Sequence, residues 1–195
     1  MTADAALSRS AKTTRQLRMV GDDGDGLRHA DDYYPTPPAG THALLMVEQF
    51  DGDIWEPACG DGAISRVLEK WGYKVHSSDL VDRGFGTPRV DFLMERKSLA
   101  PNIITNPPFK LAVPFIRKAL ELTTKKVAML LRINALEGLE RRRLFETTPL
   151  ARVYVFSKRL TFERGGLATH GGGMLAFAWF VWEHGHTGKP TLGWI

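Results

Sequence analysis

The chain has 195 residues, of which 43% are hydrophobic and 25% charged, values typical of a globular protein with one sizeable core. No apolar stretch is long enough to span a bilayer, and the first residues lack the apolar core of a secretory signal. The single cysteine, Cys59, excludes an internal disulfide framework and fits a reducing cytoplasm. The formal charge of +4 is compatible with a polyanionic partner but does not require one.

The first thirty residues differ in composition from the rest. Residues 1–30 are polar and contain a run of Gly and Asp at 21–26. Such a segment buries little apolar surface, so we expect a mobile tail. A short basic helix over residues 8–18 that contacts a phosphate backbone is the alternative. Residues 31–195 are expected to form one catalytic domain, with no room for a separate target-recognition domain.

From residue 31 onward, short apolar runs alternate with amphipathic stretches. The pattern predicts helices over residues 41–50, 61–71, 111–122 and 135–145. It predicts strands over residues 53–56, 73–78, 90–93, 102–105, 126–131, 152–156 and 174–182. Alternating strands and helices indicate an α/β fold with a mostly parallel seven-stranded sheet covered on both faces. The last two strands have no helix between them, which predicts an antiparallel final strand.

A glycine-rich turn follows the first predicted strand. Its sequence is Glu56-Pro57-Ala58-Cys59-Gly60-Asp61-Gly62. In doubly wound sheets this turn is where ligands approach the strand ends, because glycine lets the backbone come close. The dinucleotide fingerprint needs one more glycine where Ser65 stands, which disfavours a nicotinamide or flavin site. Asp79 ends the second strand, where a carboxylate can accept both hydroxyls of a ribose. The structural alternative is a tight strand-to-helix connection.

A second motif, Asn106-Pro107-Pro108-Phe109, follows an apolar strand. Two prolines stiffen the turn and remove two backbone donors, so their carbonyls remain as acceptors. The Asn106 and Pro107 carbonyls can face an NH₂ group, and Phe109 offers a stacking surface for a planar base. The lone pair of an aryl amine is delocalised into its ring. Two acceptors on its hydrogens favour the pyramidal, nucleophilic geometry, which can attack a sulfonium methyl group in line.

With these two motifs the chain resembles the amino-methyltransferases of DNA, which act on adenine N6 or cytosine N4. The resemblance runs from Tyr33 or Tyr34 to Ile195, and the order of the motifs is similar to the gamma arrangement of that family. It implies a Rossmann-like class I methyltransferase fold, S-adenosyl-L-methionine as cofactor, DNA or RNA as partner, and the cytoplasm of a bacterial or phage-infected cell. No metal is expected, because His170 is a lone histidine with no companion at ligand spacing. The oligomeric state is not indicated.

The resemblance also implies roles for individual residues. The catalytic residues are Asn106, Pro107, Pro108 and Phe109. The cofactor-binding residues are Tyr34, Thr36, Pro37, Glu56, Pro57, Ala58, Gly60, Gly62, Asp79, Leu80, Asp91, Phe92 and Asn106. The third-strand region around Phe85-Gly86-Thr87-Pro88 is shorter than the family pattern. Without a target-recognition region, the chain is most similar to compact phage-type members.

Methylation at carbon 5 of cytosine needs a thiolate in its own catalytic loop. The only thiol, Cys59, lies inside the glycine-rich turn, and no Pro-Cys pair exists. The sequence therefore excludes that route, and Cys59 is expected to be a packing residue.

A basic, glycine-rich loop lies between the last two predicted strands. Its candidates for nucleic-acid binding are Lys158, Arg159, Phe162, Arg164 and His170. Basic side chains could grip a backbone while Phe162 fills the gap left by an extruded base. A surface hairpin without this role is the alternative.

We therefore expect a methyltransferase that acts on an exocyclic amine of a base, foremost adenine N6 in DNA. A protein-glutamine or RNA N-methyltransferase is the nearest alternative. A non-catalytic nucleic-acid-binding module on a methyltransferase scaffold is the alternative from another class.

Overall fold

The computed structural model describes residues 33–164, 167–168 and 175–195, with the backbone alone for residues 163–164 and 167–168. The expected tail, residues 1–30, lies outside this part. The helices are α1 (Pro38–Val47), α2 (Ser65–Lys70), α3 (Ala112–Leu122) and α4 (Leu139–Thr147). Short 3₁₀ helices cover Phe92–Met94, Phe109–Leu111 and Ile133–Leu136. The longest helix described, α3, has 11 residues, and none of them could cross a bilayer.

The strands in chain order are β1 (Ile54–Glu56), β2 (Val75–Ser77), β3 (Asn102–Thr105), β4 (Lys126–Arg132), β5 (Leu150–Val155), β6 (Glu163–Arg164), β7 (Leu167–Ala168), β8 (Phe177–Glu183) and β9 (Thr191–Trp194). Seven of these described strands form one sheet in the order β2-β1-β3-β4-β8-β5-β9, and β6 pairs with β7 separately. Strands β1 to β4 pair in parallel. The α/β class with a mostly parallel sheet is confirmed.

Both faces of the sheet are buried, which explains the unbroken apolar run of β4. Alternate residues of this strand point to opposite sides. Val127, Met129 and Leu131 belong to one apolar cluster, which includes residues of α3 and α4. Ala128 and Leu130 belong to the other cluster, which includes residues of α1 and α2. Strand β8 continues both clusters, and Trp179 and Trp182 are fully buried in them.

The predicted antiparallel final strand needs a correction. Strand β8 is antiparallel to both β4 and β5, as expected of the last strand that the sequence predicted. A further strand, β9, follows it and pairs in parallel with β5 at the edge of the sheet. The sequence did not predict β9, because its four residues follow a polar stretch rich in Gly and His and show no clear alternation.

The predicted strand over residues 90–93 is wrong. Phe92–Met94 form a 3₁₀ helix instead, and the Asp91 carboxylate caps it by accepting a hydrogen bond from Leu93 N at 3.0 Å. The only ladder contact of this region is a single bridge between Ser78 and Thr87. The predicted helix over residues 135–145 is divided in two, because Gly138 adopts φ 104° between the 3₁₀ helix and α4.

Candidate active site

The two predicted motifs lie side by side in the structure. Strand β1 pairs in parallel with β3, so the turn after β1 and the residues after β3 open at the same edge of the sheet. Strand β4 is the next parallel neighbour and ends at that edge with Arg132. The carboxyl edge of a parallel sheet is where α/β proteins bind their ligands.

The turn after β1 requires glycine at two positions. Gly60 and Gly62 adopt φ values of 57° and 88°, which L side chains rarely adopt. A Cβ atom on Gly60 would lie 2.4 Å from Cε2 of Tyr33, and one on Gly62 would lie 2.6 Å from Cε1 of Phe85. Both aromatic rings therefore pack directly on the backbone of the turn.

Asp79 ties the second strand to this turn. Its Oδ2 accepts a hydrogen bond from Gly60 N at 2.8 Å, and its Oδ1 accepts one from Val81 N at 2.8 Å. A carboxylate has about four acceptor positions, so both oxygens can still accept a hydroxyl. Leu80 beside it is 60% exposed and offers an apolar surface at the same edge.

Glu56 lies inside the protein. Its carboxylate is 1% exposed, and Oε2 accepts hydrogen bonds from Ser65 N at 2.8 Å and from the Ser65 hydroxyl. Burial raises the pKa of Glu56 well above its usual value, because a charged carboxylate loses its hydration. The side chain holds the start of α2 against the end of β1. Pro57 is buried as well, and Ala58 is half-buried.

The two polar atoms of the Asn106 amide differ in their hydrogen bonding. Its Nδ2 donates hydrogen bonds to the Tyr34 carbonyl at 3.2 Å and to Oγ1 of the buried Thr36 at 3.1 Å. Its Oδ1 is buried and accepts no hydrogen bond from a described residue. The segment before α1 thus fixes the rotation of the amide and leaves an acceptor without a partner.

The two prolines after Asn106 differ in what their carbonyls do. The Pro108 carbonyl accepts a hydrogen bond from Leu111 N at 2.8 Å and closes the 3₁₀ turn. No backbone N–H of the described residues donates to the Pro107 carbonyl. The Asn106 Oδ1 and the Pro107 carbonyl are therefore the two acceptors that this loop can offer.

The Phe109 ring lies in an aromatic group that the sequence did not predict. Its centroid is 6.2 Å from that of Tyr34, which it stacks on, and 5.7 Å from that of Phe177. The guanidinium carbon of Arg132 lies 4.3 Å from the Phe109 centroid. Arg132 gave no signal in the sequence, because an arginine that ends an apolar strand is a common pattern.

The segment before α1 contributes one more residue than the sequence indicated. The Tyr33 hydroxyl accepts a hydrogen bond from Asp61 N at 3.2 Å, and the Arg83 guanidinium lies 4.0 Å above the Tyr33 ring. Burial raises the pKa of Tyr33 to about 12, so the hydroxyl stays protonated at neutral pH. Pro37 directly precedes α1 and is half-buried.

Asp91 and Phe92 lie in different surroundings although they are neighbours. Asp91 is exposed at the start of its 3₁₀ helix. The Phe92 ring is 2% exposed and packs edge-on against Trp55, with centroids 5.2 Å apart. The Phe92 side chain is therefore part of the core.

Cys59 is a packing residue in this turn. It is 3% exposed, and its Sγ lies 3.7 Å from the Phe85 carbonyl. Burial, together with the nearby Glu56, raises the pKa of the thiol to about 12. A thiol that stays protonated is a poor nucleophile. The geometry agrees with the exclusion of the carbon-5 route.

The predicted nucleic-acid-binding residues are described in part. Lys158 and Arg159 are exposed after β5. Phe162 packs on Phe177 with centroids 4.7 Å apart, so its ring is partly used inside the protein. The backbone of Arg164 belongs to β6, but its side chain and the whole of His170 lie outside the described residues.

Among the residues that the structure describes, no group of three His, Cys, Asp or Glu side chains could hold a metal ion. No protein-family model matches the chain, and no curated protein sequence matches it.

Solved structures show the same fold. A candidate RNA methyltransferase from Pyrococcus horikoshii, PH1948, superposes with a TM-score of 0.61 at 14% identity, over 90% of this chain and 98% of that one. The modification subunit of a candidate type I restriction enzyme from Vibrio vulnificus YJ016 gives 0.54 at 15% identity, over 97% of this chain and 51% of that one. Magnesium protoporphyrin IX methyltransferase from Synechocystis PCC 6803, solved with its bound cofactor SAM, gives 0.50 at 13% identity, over 89% and 91%. The chain therefore has the Rossmann-like fold of class I methyltransferases.

Proposed function

We propose that this protein is an S-adenosyl-L-methionine-dependent methyltransferase that acts on an exocyclic amine of a nucleic-acid base, adenine N6 in DNA foremost. The observation that carries the proposal is the Asn106 amide. Its Nδ2 is held by Tyr34 and Thr36, while its buried Oδ1 has no partner among the described residues. A buried acceptor without a partner is costly, and a bound ligand can supply the missing donor.

An aryl NH₂ group supplies two donors. One N–H can bind Asn106 Oδ1 and the other the Pro107 carbonyl, which lies next in the chain. Both acceptors stabilise the positive charge that develops on the nitrogen as it attacks. They are fixed before the substrate arrives, Asn106 by its bonds to Tyr34 and Thr36 and Pro107 by its ring. No covalent intermediate is needed.

The residues at the edge of the sheet fit S-adenosyl-L-methionine. Gly60 and Gly62 form a turn with no room for a Cβ, and the Asp79 carboxylate, beside the exposed Leu80, keeps acceptor positions that ribose hydroxyls could use. When bound, this cofactor supplies an electrophilic sulfonium methyl group. Two of the superposed structures are described as methyltransferases, one of them solved with SAM, which supports this cofactor for the shared fold.

The choice of a nucleic-acid base rests on the Asn-Pro-Pro-Phe motif and on exposed cations near it. Lys158 and Arg159 follow β5, whose end lies at the same edge as Asn106. A planar base can insert beside Phe109, next to the two acceptors. In a duplex the target amine is paired, so the base must leave the stack before the transfer.

The direct test follows labelled methyl groups into the product. Purified protein is incubated with radiolabelled S-adenosyl-L-methionine and unmethylated duplex DNA, RNA or a protein extract, and the product is digested and identified. We expect label in N6-methyladenine of DNA, and none when the same DNA is already methylated at that nitrogen. Label in RNA keeps the chemistry and replaces DNA as the substrate, whereas label only in glutamine of the protein extract, or failure to bind the cofactor, overturns the proposal.

Asn106→Ala separates catalysis from cofactor binding. The substitution removes the acceptor Oδ1, so we expect transfer to fall by a factor of about 10² to 10³, the typical loss for one fixed polar group in a transition state. Cofactor affinity, measured by calorimetric titration, should stay within a few-fold of the wild type. Unchanged turnover in the folded variant would remove Asn106 from the mechanism.

A further inference from the structure

Arg132 has an unusual environment for a half-buried cation. It is the last residue of β4 and lies opposite Phe177 in the antiparallel pair with β8. Its guanidinium carbon is 4.3 Å from the centroid of the Phe109 ring, and its Nε is buried. Among the described residues, no group accepts a hydrogen bond from Nε, and no carboxylate forms an ion pair with the guanidinium.

A comparison within the same sheet shows what is missing. Arg152 in β5 is also half-buried, with 24% of its side chain exposed. It binds two carboxylates, those of Glu48 and Glu183, the latter at 2.6 Å. Taking a cation out of water is costly unless an anion or several acceptors replace the water. Arg152 has these anions, whereas among the described residues Arg132 has an aromatic ring and no carboxylate, and the ring alone replaces only part of the lost hydration.

We propose that Arg132 is a positioning residue that binds the phosphate group of the nucleotide whose base is methylated. The inference rests on the proposed function and adds the residue that holds the substrate's backbone. The guanidinium carbon lies over the Phe109 ring, and the N–H groups point outward in the plane of the guanidinium. An edge of parallel N–H donors matches two oxygens of one phosphate.

The location explains why this contact would affect the chemistry. Phe109 is three residues from Asn106, and Arg132 rests on its ring. A phosphate on Arg132 is thereby held at a fixed place relative to the acceptors of the amine. Rigid placement of the reacting group is worth several powers of ten in rate. If the phosphate backbone of the nucleic acid were bound loosely, the target amine would be aligned with the methyl group less often.

The test measures nucleic-acid affinity against salt. Wild type, Arg132→Ala, Arg132→Lys and Arg117→Ala are titrated with a fluorescent oligonucleotide of the nucleic acid that the wild type methylates, at several NaCl concentrations. Arg117 is an exposed arginine on α3 and serves as the matched control. We expect Arg132→Ala to weaken binding about tenfold or more and to reduce the salt slope by about one contact. Arg132→Lys should keep the salt slope and recover part of the affinity. Lysine keeps the positive charge but lacks the two parallel N–H donors of the guanidinium.

The steady-state constants and a cofactor titration complete the test. In Arg132→Ala we expect a higher KM for nucleic acid and an affinity for S-adenosyl-L-methionine within twofold of the wild type, which also shows that the variant is folded. An unchanged salt slope would overturn the phosphate assignment, even if KM rises. An equal loss of nucleic-acid affinity in Arg117→Ala would mean that the effect of Arg132→Ala comes from the lower net charge of the protein and overturns the specific contact. A wild type that methylates only protein would overturn both proposals, whereas methylated nucleic acid with normal Arg132→Ala kinetics overturns this one alone.

Discussion

Three buried or half-buried polar side chains near the carboxyl edge differ in how completely the protein satisfies them. Glu56 is bonded twice by Ser65, and its role is to hold the turn. Asn106 is bonded on one side of its amide only. Arg132 has a ring and no described acceptor for its Nε. Buried polar groups are normally paired, so the incomplete ones are where a ligand is expected.

Asp79 is the residue through which cofactor affinity can be tested most directly. We expect Asp79→Ala to weaken S-adenosyl-L-methionine about 10- to 100-fold, because hydrogen bonds to a charged group contribute about 1.5–3 kcal/mol. Asp82→Ala is the matched control, since Asp82 is an exposed carboxylate that accepts only a local bond, from Gly84 N at 3.0 Å. Calorimetric titration measures both, and equal affinities would refute the ribose assignment.

Glu56 should make stability depend on pH. Its pKa in the folded protein lies well above the ordinary value of 4.5, because burial penalises the charged form. The bound proton therefore contributes stability that is complete below pH 4.5 and is lost as the pH rises through the folded pKa. Glu56→Gln has no such proton. Relative to the wild type, the free energy of unfolding of Glu56→Gln should increase with pH, by at most about 1.4 kcal/mol per unit.

Urea unfolding between pH 5 and pH 8 measures this difference. Glu69→Gln, at an exposed position of α2, is the control and should show no trend. A constant difference between Glu56→Gln and the wild type across this range would mean that Glu56 is ionised in the folded protein.

Among the secondary-structure elements, those that bury both faces were predictable from the sequence. Strand β3 was predicted with its observed bounds, and β4 within one residue, because their apolar runs have no competing interpretation. The strand predicted over residues 90–93 was wrong. The three consecutive apolar residues there, Phe92 to Met94, suggest a strand, but they form a 3₁₀ turn that Asp91 caps. Strand β9 is held in place by its pairing with β5. Its apolar residues Leu192 and Trp194 are 55% and 68% exposed, so its sequence lacks the buried apolar pattern that predicts a strand.

The candidate site was predictable where a motif is local. The glycines of the turn and the Asn106 loop each occupy a few consecutive residues, and chemistry identifies them. Tyr33 packs on the turn at Gly60, and Arg132 and Phe177 both pack on Phe109, although all three lie far from these motifs in the sequence. Their roles depend on neighbours in the folded protein, and no spacing in the sequence specifies these neighbours.

Strand β9 also anchors the start of the basic loop. Ile195 N donates to the Val155 carbonyl at 3.0 Å, and Ser157 N donates to the Ile195 carbonyl at 2.7 Å. A Cβ atom on Gly193 would lie 3.0 Å from Cδ1 of Tyr154. We therefore expect Gly193→Val to lower the free energy of unfolding by about 1–3 kcal/mol through overpacking.

The same substitution should raise KM for the nucleic acid more than it weakens cofactor binding, because the loop after β5 loses its anchor. Leu192→Val, at an exposed position of the same strand, is the control for a change in β9 without a clash. Urea unfolding and initial rates measure both variants. Equal stability of the two would show that Tyr154 can move aside.

At the scale of the whole molecule, the two ends of the sheet carry different groups of candidate site residues. The end formed by β2, β1 and β3 carries the turn, Asp79 and Asn106, the residues that we propose for the cofactor and the amine. The end formed by β4, β8 and β5 carries Arg132, Phe177 and the exposed Lys158. We therefore expect separate substitutions to alter nucleic-acid binding and cofactor binding.

The position of β8 has a consequence for synthesis of the chain. Strand β8 lies between β4 and β5 and joins them in the described sheet, although it is made after both. Until residues 177–183 leave the ribosome, the apolar β4 has an open edge with unsatisfied backbone groups. Open edges of this kind pair readily with other chains. We therefore expect the nascent protein to be most exposed to aggregation between the emergence of β4 and that of β8 from the ribosome, and chaperone binding to be concentrated in that interval.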